Sequence, residues 1–221
     1  YFSDKEKLVV TGTPTKVKEE NLTDEQKDEI YSSLGLSKEM PTVLVFGGSQ
    51  GAKAINEAMV ALIEENKNKN YQIVWSVGQK QYDIIKEEFN QKKIDIDKIK
   101  NTKILPYIYN MSEIMNTVDI IVARSGAMTI TELALVGKPA IFIPLPSMSA
   151  NRQLDNAKVL ENLGAAKIIL NEEVNSENLS KTIDEMLENP EKLKEMGNQA
   201  RKIAKYNVEE KIYEEIKKIV K

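Results

Sequence analysis

The run Thr42 to Phe46 (TVLVF) is apolar on both faces, and no other stretch constrains the chain as much. A strand with one wet face alternates polar and apolar residues, whereas one without that alternation belongs in the middle of a parallel sheet covered on both sides. The run opens after Pro41 and leads straight into Gly47-Gly48-Ser49-Gln50-Gly51-Ala52. A helix through Glu64 follows, with Ile55, Met59, Leu62 and Ile63 at helical spacing. The same unit then recurs. Tyr71 to Val77 reads as a strand and Gln79 to Phe89 as a helix. Lys103 to Leu105 is a short strand before Pro106-Tyr107-Ile108-Tyr109 and a helix near Met111. Asp119 to Ala123 is a buried strand, followed by Arg-Ser-Gly and a helix from Met128 to Val136 that Gly137 stops. Lys138-Pro139 leads into the strand AIFIP, the loop LPSMSANRQ and a helix to Leu163, stopped by Gly164; Lys167 to Leu170 is the last strand. Strands alternating with helices at this pitch predict an α/β chain with a mostly parallel, doubly wound, Rossmann-like sheet.

The two ends differ from this pattern. Lys7 to Thr11 (KLVVT) reads as a short strand closed by Gly12-Thr13-Pro14-Thr15. Asn21 to Leu34 reads as a helix, with Thr23 and Gln26 in capping-box spacing and Gly35 as its stop. After Asn171 the chain is polar and helical, from Ser176 to Glu188 and, beyond a break at Asn189-Pro190, on to Lys221.

The 221 residues include no Cys and no His. Thiol nucleophiles, disulfides, Cys/His zinc sites and a histidine base from this chain are thereby excluded. The net charge is −3 and the charged residues are scattered, unlike the clustered basic footprint of a nucleic-acid binder. No apolar run reaches the length of a membrane span, and YFSDKEK lacks the pattern of a signal peptide. The sequence opens on Tyr1 rather than Met, so a piece of a longer protein is expected.

Ligands of such sheets bind beyond the carboxyl ends of the strands, and four unusual loops are expected on that edge: 47–52, 106–111, 124–132 and 145–153. Glycines in the first allow positive φ and close approach of backbone to a ligand, although its spacing is not G-x-G-x-x-G and an ordinary tight turn explains it equally well. Ser49 has either a phosphate or a backbone group as partner. Glu132, in the first turns of its helix, either favours the helix dipole or accepts a ribose 2′/3′ diol. Arg124 either pairs with a carboxylate, the reading slightly preferred, or clamps an anion. Gln153 and Asn156 share a helix face from which amides can read sugar hydroxyls, while a Gln at a helix start also serves as a plain cap. No Asp/Glu cluster suggests a metal site, and no cofactor is expected.

Three segments, VFGGSQGAKAIN, RSGAMTITELALVGKPAIFIPLP and NRQLDNAKVLENLGAAKII, together resemble the donor-binding half of the MurG family of N-acetylglucosaminyltransferases. VVTGTPTK is similar to that family's V-T-G-N-P-V-R segment, which joins its two halves. The resemblance runs from about Leu8 to the final helices. It implies the C-terminal domain of a GT-B enzyme that binds UDP-GlcNAc. In this picture residues 1–39 are an interdomain linker with the first strand and helix, residues 40–189 the UDP-GlcNAc-binding domain, and residues 190–221 helices packing toward a missing N-terminal domain.

Carried over by residue, the resemblance implies that Gly48, Ser49 and Gln50 meet the donor's phosphates and that Ile108 supports uracil through its backbone. Ala127, Met128, Thr129, Ile130 and Thr131 would line the diphosphate and nucleoside, Glu132 would take the ribose hydroxyls and Gln153 the GlcNAc hydroxyls. Lys16 stands where the family often has Arg and Thr13 where it often has Asn; a Lys cannot reproduce a bidentate Arg contact. The family's acceptor half, with the base that deprotonates the acceptor hydroxyl, is not in this sequence, so no catalytic residue is expected here. The implied partners are UDP-GlcNAc and a lipid-linked acceptor at the cytoplasmic face of the cell membrane. Other readings stay open: a stand-alone donor subunit of a split GlcNAc transferase, another GT-B enzyme such as a glycolipid hexosyltransferase or a UDP-GlcNAc epimerase, or a scaffold without ligand.

Overall fold

A computed structural model describes residues 8–65, 69–146 and 151–220. The described residues form a six-stranded parallel sheet in the order β3-β2-β1-β4-β5-β6. Its strands are β1 (Thr42–Phe46), β2 (Gln72–Ser76), β3 (Thr102–Leu105), β4 (Ile120–Ala123), β5 (Ala140–Phe142) and β6 (Ala166–Ile168). TVLVF is the centre of this sheet, as its composition requires: Val45 lies beside Trp75 of β2 on one side and Val122 of β4 on the other, and all of β1 is buried.

Between the strands run α2 (Lys53–Glu64), α3 (Tyr82–Gln91), α4 (Met111–Thr117), α5 (Ala127–Val136) and α6 (Arg152–Asn162), after an initial α1 (Asp24–Leu34). The pleat sends Val43 and Val45 to one core layer with Ile55, Met59, Phe89 and Leu62. Leu44 and Phe46 go to the other with Met115, Leu133, Phe142 and Leu160. Chain order reverses between β1 and β4, so their carboxyl ends frame the crevice of the fold.

Helix α1 has the predicted capping box in full: the Gln26 amide donates to Thr23 Oγ1, the Thr23 amide donates to Gln26 Oε1, and Gly35 ends the helix in the left-handed region. The polar tail folds as α7 (Ser176–Leu187), α8 (Pro190–Arg201) and α9 (Val208–Ile219). Helix α8 lies against α5 of this same chain and buries Met196, Gly197 and Ala200. Helix α9 buries Val208 and leaves Tyr213, Ile216 and Ile219 exposed.

Two expectations change. Leu8 to Thr11 joins no strand among the described residues, and Leu8, Val9 and Val10 are exposed; Lys7 lies outside the described residues. A β-branched run becomes a strand only where a ladder partner is in reach, and this segment has none there. The last strand starts one residue earlier than predicted and ends at Ile168, where its pairing with Phe142 stops. Within the loop LPSMSANRQ, residues 147–150 lie outside the described residues.

Candidate functional site

The loop after β1 is a tight turn in which the Gly51 amide donates to the Gly48 carbonyl. Its glycines have different reasons. A Cβ on Gly51 would sit 2.3 Å from the Val77 carbonyl, and one on Gly47 would sit 2.4 Å from Ala52, so the protein's own backbone requires both. Gly48 has φ +88 and open space around it, which leaves its backbone facing the crevice. Ser49 is exposed beside it.

Helices α2 and α5 both begin at this crevice. The N-cap of α2 is Ala52 and that of α5 is Gly126; neither supplies a side-chain cap, and neither helix has an acidic residue in its first turn. Away from the crevice, α1, α7 and α8 are capped by Thr23, Asn175 and Asn189 and carry acidic residues in their first turns. Helices α3, α4, α6 and α9 also lack a side-chain cap but carry acidic residues in their first turns, so among the described helices α2 and α5 alone start with neither, and their positive dipole ends at this crevice suit an anion.

Two cavities meet there. One, of about 790 Å3, is walled by Thr15, Lys16, Ile108, Met128 and Glu132 together with Tyr107 and Tyr109. The second, of about 680 Å3, is walled by the α2 N-terminus, Arg124, Gly126, Gln153 and Asn171. Phe46, Gly48 and Thr129 belong to both walls, so the cavities adjoin where the helix ends converge.

Of the sequence-predicted residues, Lys16, Gly48, Ser49, Ile108, Met128, Thr129 and Glu132 wall the first cavity, and Gly48, Thr129 and Gln153 the second. Gln50, Ala127, Ile130 and Thr131 lie outside both walls. Helical geometry explains two of these. Ile130 turns into the core layer below the sheet, and the Thr131 hydroxyl donates to the Ala127 carbonyl one turn back.

The Arg124 expectation is corrected. Its Nη1 donates to the carbonyls of Ile143 (2.8 Å) and Pro144 (3.2 Å) and to Asn171 Oδ1 (2.8 Å), and no carboxylate pairs with it among the described residues. Burial lowers its pKa, but an arginine stays charged, so the cavity wall carries a cation held by neutral acceptors. Asn156 is likewise structural. Its amide donates to the Ser125 carbonyl, while the buried Ser125 hydroxyl donates to the Gln153 carbonyl, fastening α6 to the turn after β4. Gln153 Oε1 accepts the Leu145 amide at 2.9 Å and shapes the loop after β5.

Glu132 is half-buried; desolvation raises its pKa, and a 2.8 Å hydrogen bond from the Thr15 hydroxyl acts against that rise. Sequence reasoning missed Thr15, and it missed the tyrosines flanking Ile108. Tyr107 and Tyr109 stand edge to face with centroids 4.9 Å apart at the rim, and Tyr109 is 85% exposed. Their signal was present in the alternation around buried Ile108, which sends both rings to the side opposite the core. Among the described residues no group of three or more His, Cys, Asp or Glu could hold a metal ion.

A model of the glycosyltransferase family 28 C-terminal domain matches residues 42–212. The chain belongs to that family. The chain is 40% identical over 219 residues to the UDP-N-acetylglucosamine–N-acetylmuramyl-(pentapeptide) pyrophosphoryl-undecaprenol N-acetylglucosamine transferase of Thermoanaerobacter sp. (strain X514), covering 99% of this chain and 58% of that protein. The same transferase of Acetivibrio thermocellus is 38% identical over 222 residues, with 100% and 58% covered. The chain therefore spans less than three-fifths of the length of these curated relatives.

Among solved structures, MurG of Acinetobacter baumannii superposes with a TM-score of 0.69 at 31% identity, over 85% of this chain and 52% of that one. A UDP-GlcNAc 2-epimerase from Neisseria meningitidis superposes at 0.61 with 16% identity, over 88% and 48%, a likeness of fold alone. The expected resemblance to the C-terminal half of MurG is thus borne out for family and fold.

Proposed function

We propose that this domain binds UDP-GlcNAc as the donor half of an inverting transferase that passes GlcNAc to a lipid-linked N-acetylmuramyl-pentapeptide acceptor. The observation that carries the reading is the convergence of two uncapped helix N-termini where the two cavities meet. The nucleoside would fill the larger cavity, with uracil on the Ile108 backbone beside Tyr107 and the ribose diol on Glu132. The diphosphate would cross the shared wall at Gly48 and Thr129, and the sugar would enter the cavity of Gln153. Because Gln153 Oε1 is engaged by Leu145, a sugar hydroxyl would meet the amide nitrogen.

In the transfer, an acceptor hydroxyl attacks the anomeric carbon from the face opposite the diphosphate. The bond from that carbon to the diphosphate oxygen breaks, and the hydroxyl proton passes to a base outside this chain. This domain's task is to meet the charge growing on the leaving diphosphate. Each helix end contributes on the order of 0.3–1 kcal/mol, and Arg124 adds a fixed cation in a partly dry wall. The exposed apolar face of α9 would meet the remainder of the enzyme. No helix among the described residues is long and apolar enough to cross a membrane.

Calorimetric titration of UDP-GlcNAc, UDP-GalNAc and UDP-Glc into this chain tests the reading. UDP-GlcNAc should bind preferentially, with Glu132→Ala and Gln153→Ala each weakening it about tenfold. Equal binding of all three sugars, or none, would count against it.

A further inference from the structure

The segment joining Gly12 to Val17 is fixed from several directions. A Cβ on Gly12 would lie 2.9 Å from Val208 Cγ2 and 3.0 Å from Lys205 Cβ, so the segment runs close under the start of α9. Val17 is buried at its other end, and just beyond, the Lys18 amide donates to Ser112 Oγ and the Glu20 amide to Asn116 Oδ1, both on α4. Thr15 is held between these anchors at the wall of the larger cavity.

The Thr15 hydroxyl has one proton and can accept on its oxygen. It accepts the Val17 amide at 3.2 Å, and its proton goes to Glu132 Oε1 at 2.8 Å. With Glu132 ionised the hydroxyl is the donor of that second bond, and an acceptor there is strongest as a carboxylate.

We propose that Thr15 is a positioning residue for donor recognition: its hydroxyl holds the Glu132 carboxylate in the orientation that accepts a ribose diol, and so ties the joining segment to nucleotide occupancy. The inference rests on the reading of Glu132 as the ribose acceptor. With one oxygen pinned by Thr15, the carboxylate need not be ordered by the ligand, and its free lone pairs face the cavity already aimed. Without the hydroxyl, a half-buried carboxylate gains its proton more readily and rotates, and the protonated form is a poorer acceptor for hydroxyls.

The experiment compares UDP with 2′-deoxy-UDP in calorimetry on this chain, with Thr15→Val, Thr15→Ser and Glu132→Gln alongside, across a pH series and with a thermal melt of each. The Thr15→Val variant should bind UDP roughly fivefold more weakly while binding 2′-deoxy-UDP nearly as before. Its UDP binding should also be lost at a higher pH on acidification than that of the native chain. The Thr15→Ser variant should restore both the preference for UDP and the pH edge. If Thr15→Val keeps the native preference and pH edge, or weakens both nucleotides alike, while Glu132→Gln abolishes the preference, the positioning role is overturned and the donor site stands. If Glu132→Gln leaves the preference intact, or no nucleotide binds, the ribose reading fails and the inference fails with it.

Discussion

In the proposed donor site, Glu132 sets stability against ligand recognition. Burial raises its pKa above the ordinary carboxyl value, and the Thr15 hydrogen bond only partly opposes this. A carboxyl with a raised folded-state pKa binds its proton more tightly in the folded chain than in the unfolded one. Its contribution to stability is therefore full below the unfolded pKa and is lost as pH rises through the folded pKa. At pH 7 the ionised group is a net burden on the fold, tolerable where an anionic acceptor is needed. Glu132→Gln keeps the shape and an acceptor oxygen for Thr15 while removing the charge. It should raise the melting temperature at pH 7 by about 1–3 °C, and the gain should vanish near pH 4. Melting curves at the two pH values check this; an equal gain at both would show that charge is not its source.

At the scale of elements, α5 decides how well the site is aimed, and its far end is fixed by contacts without spare room. Gly137 ends the helix with φ +61, and Arg201 of α8 donates to the Val136 carbonyl at 3.0 Å while its Nε pairs with Glu19 at 2.9 Å. Gly197 of α8 packs backbone to backbone there, since a Cβ on it would lie 2.3 Å from the Gly137 carbonyl. Alanine is the better helix former by about 1 kcal/mol, yet Gly197→Ala should destabilise the chain by about 1–3 kcal/mol through overpacking. Urea unfolding would show it as a lowered midpoint at unchanged slope, whereas a raised midpoint would mean that α8 can shift freely. The strands and helices around this contact were legible because a central parallel strand must be apolar on both faces, as in TVLVF, and because Thr23, Gln26, Gly35 and Gly137 mark helix ends locally. KLVVT misled because its propensity says nothing about whether a partner strand is in reach. The crevice loops were legible for the same local reasons, but the partners inside them were not. Arg124 is satisfied by carbonyls and an amide from 19 to 47 residues away, and Thr15 reaches Glu132 across 117 residues. Such choices depend on the finished topology, which periodicity cannot supply.

For the molecule as a whole, the sheet order leaves one edge as the place where loops, cavities and helix dipoles converge, and the chain flanks that edge with segments of a different character. The joining segment crosses it at Thr15 and Lys16, and the start of α9 reaches it through Glu209, which walls the larger cavity. Beyond Val208, however, α9 presents apolar side chains to solvent: Tyr213 is 59% exposed, Ile216 50% and Ile219 83%. What holds its last turns is mostly its own, including pairs from Glu214 to Lys217 and from Glu215 to Lys218 and the Lys217 ammonium over the Tyr213 ring. Exposed pairs of this kind contribute little, typically about 0.2–1 kcal/mol each. An amphipathic helix stabilised in this way adds little to the core it leaves, and it fits the proposal that its apolar face serves the remainder of a longer enzyme. Removing residues 212–221 while keeping Val208 and Glu209 should therefore leave the melting temperature within about 2 °C and UDP affinity within about twofold. Amides of this stretch in the intact chain should exchange with solvent far faster than those of β1. A large loss of stability on truncation would instead assign α9 to this domain's own core and withdraw its apolar face from any partner.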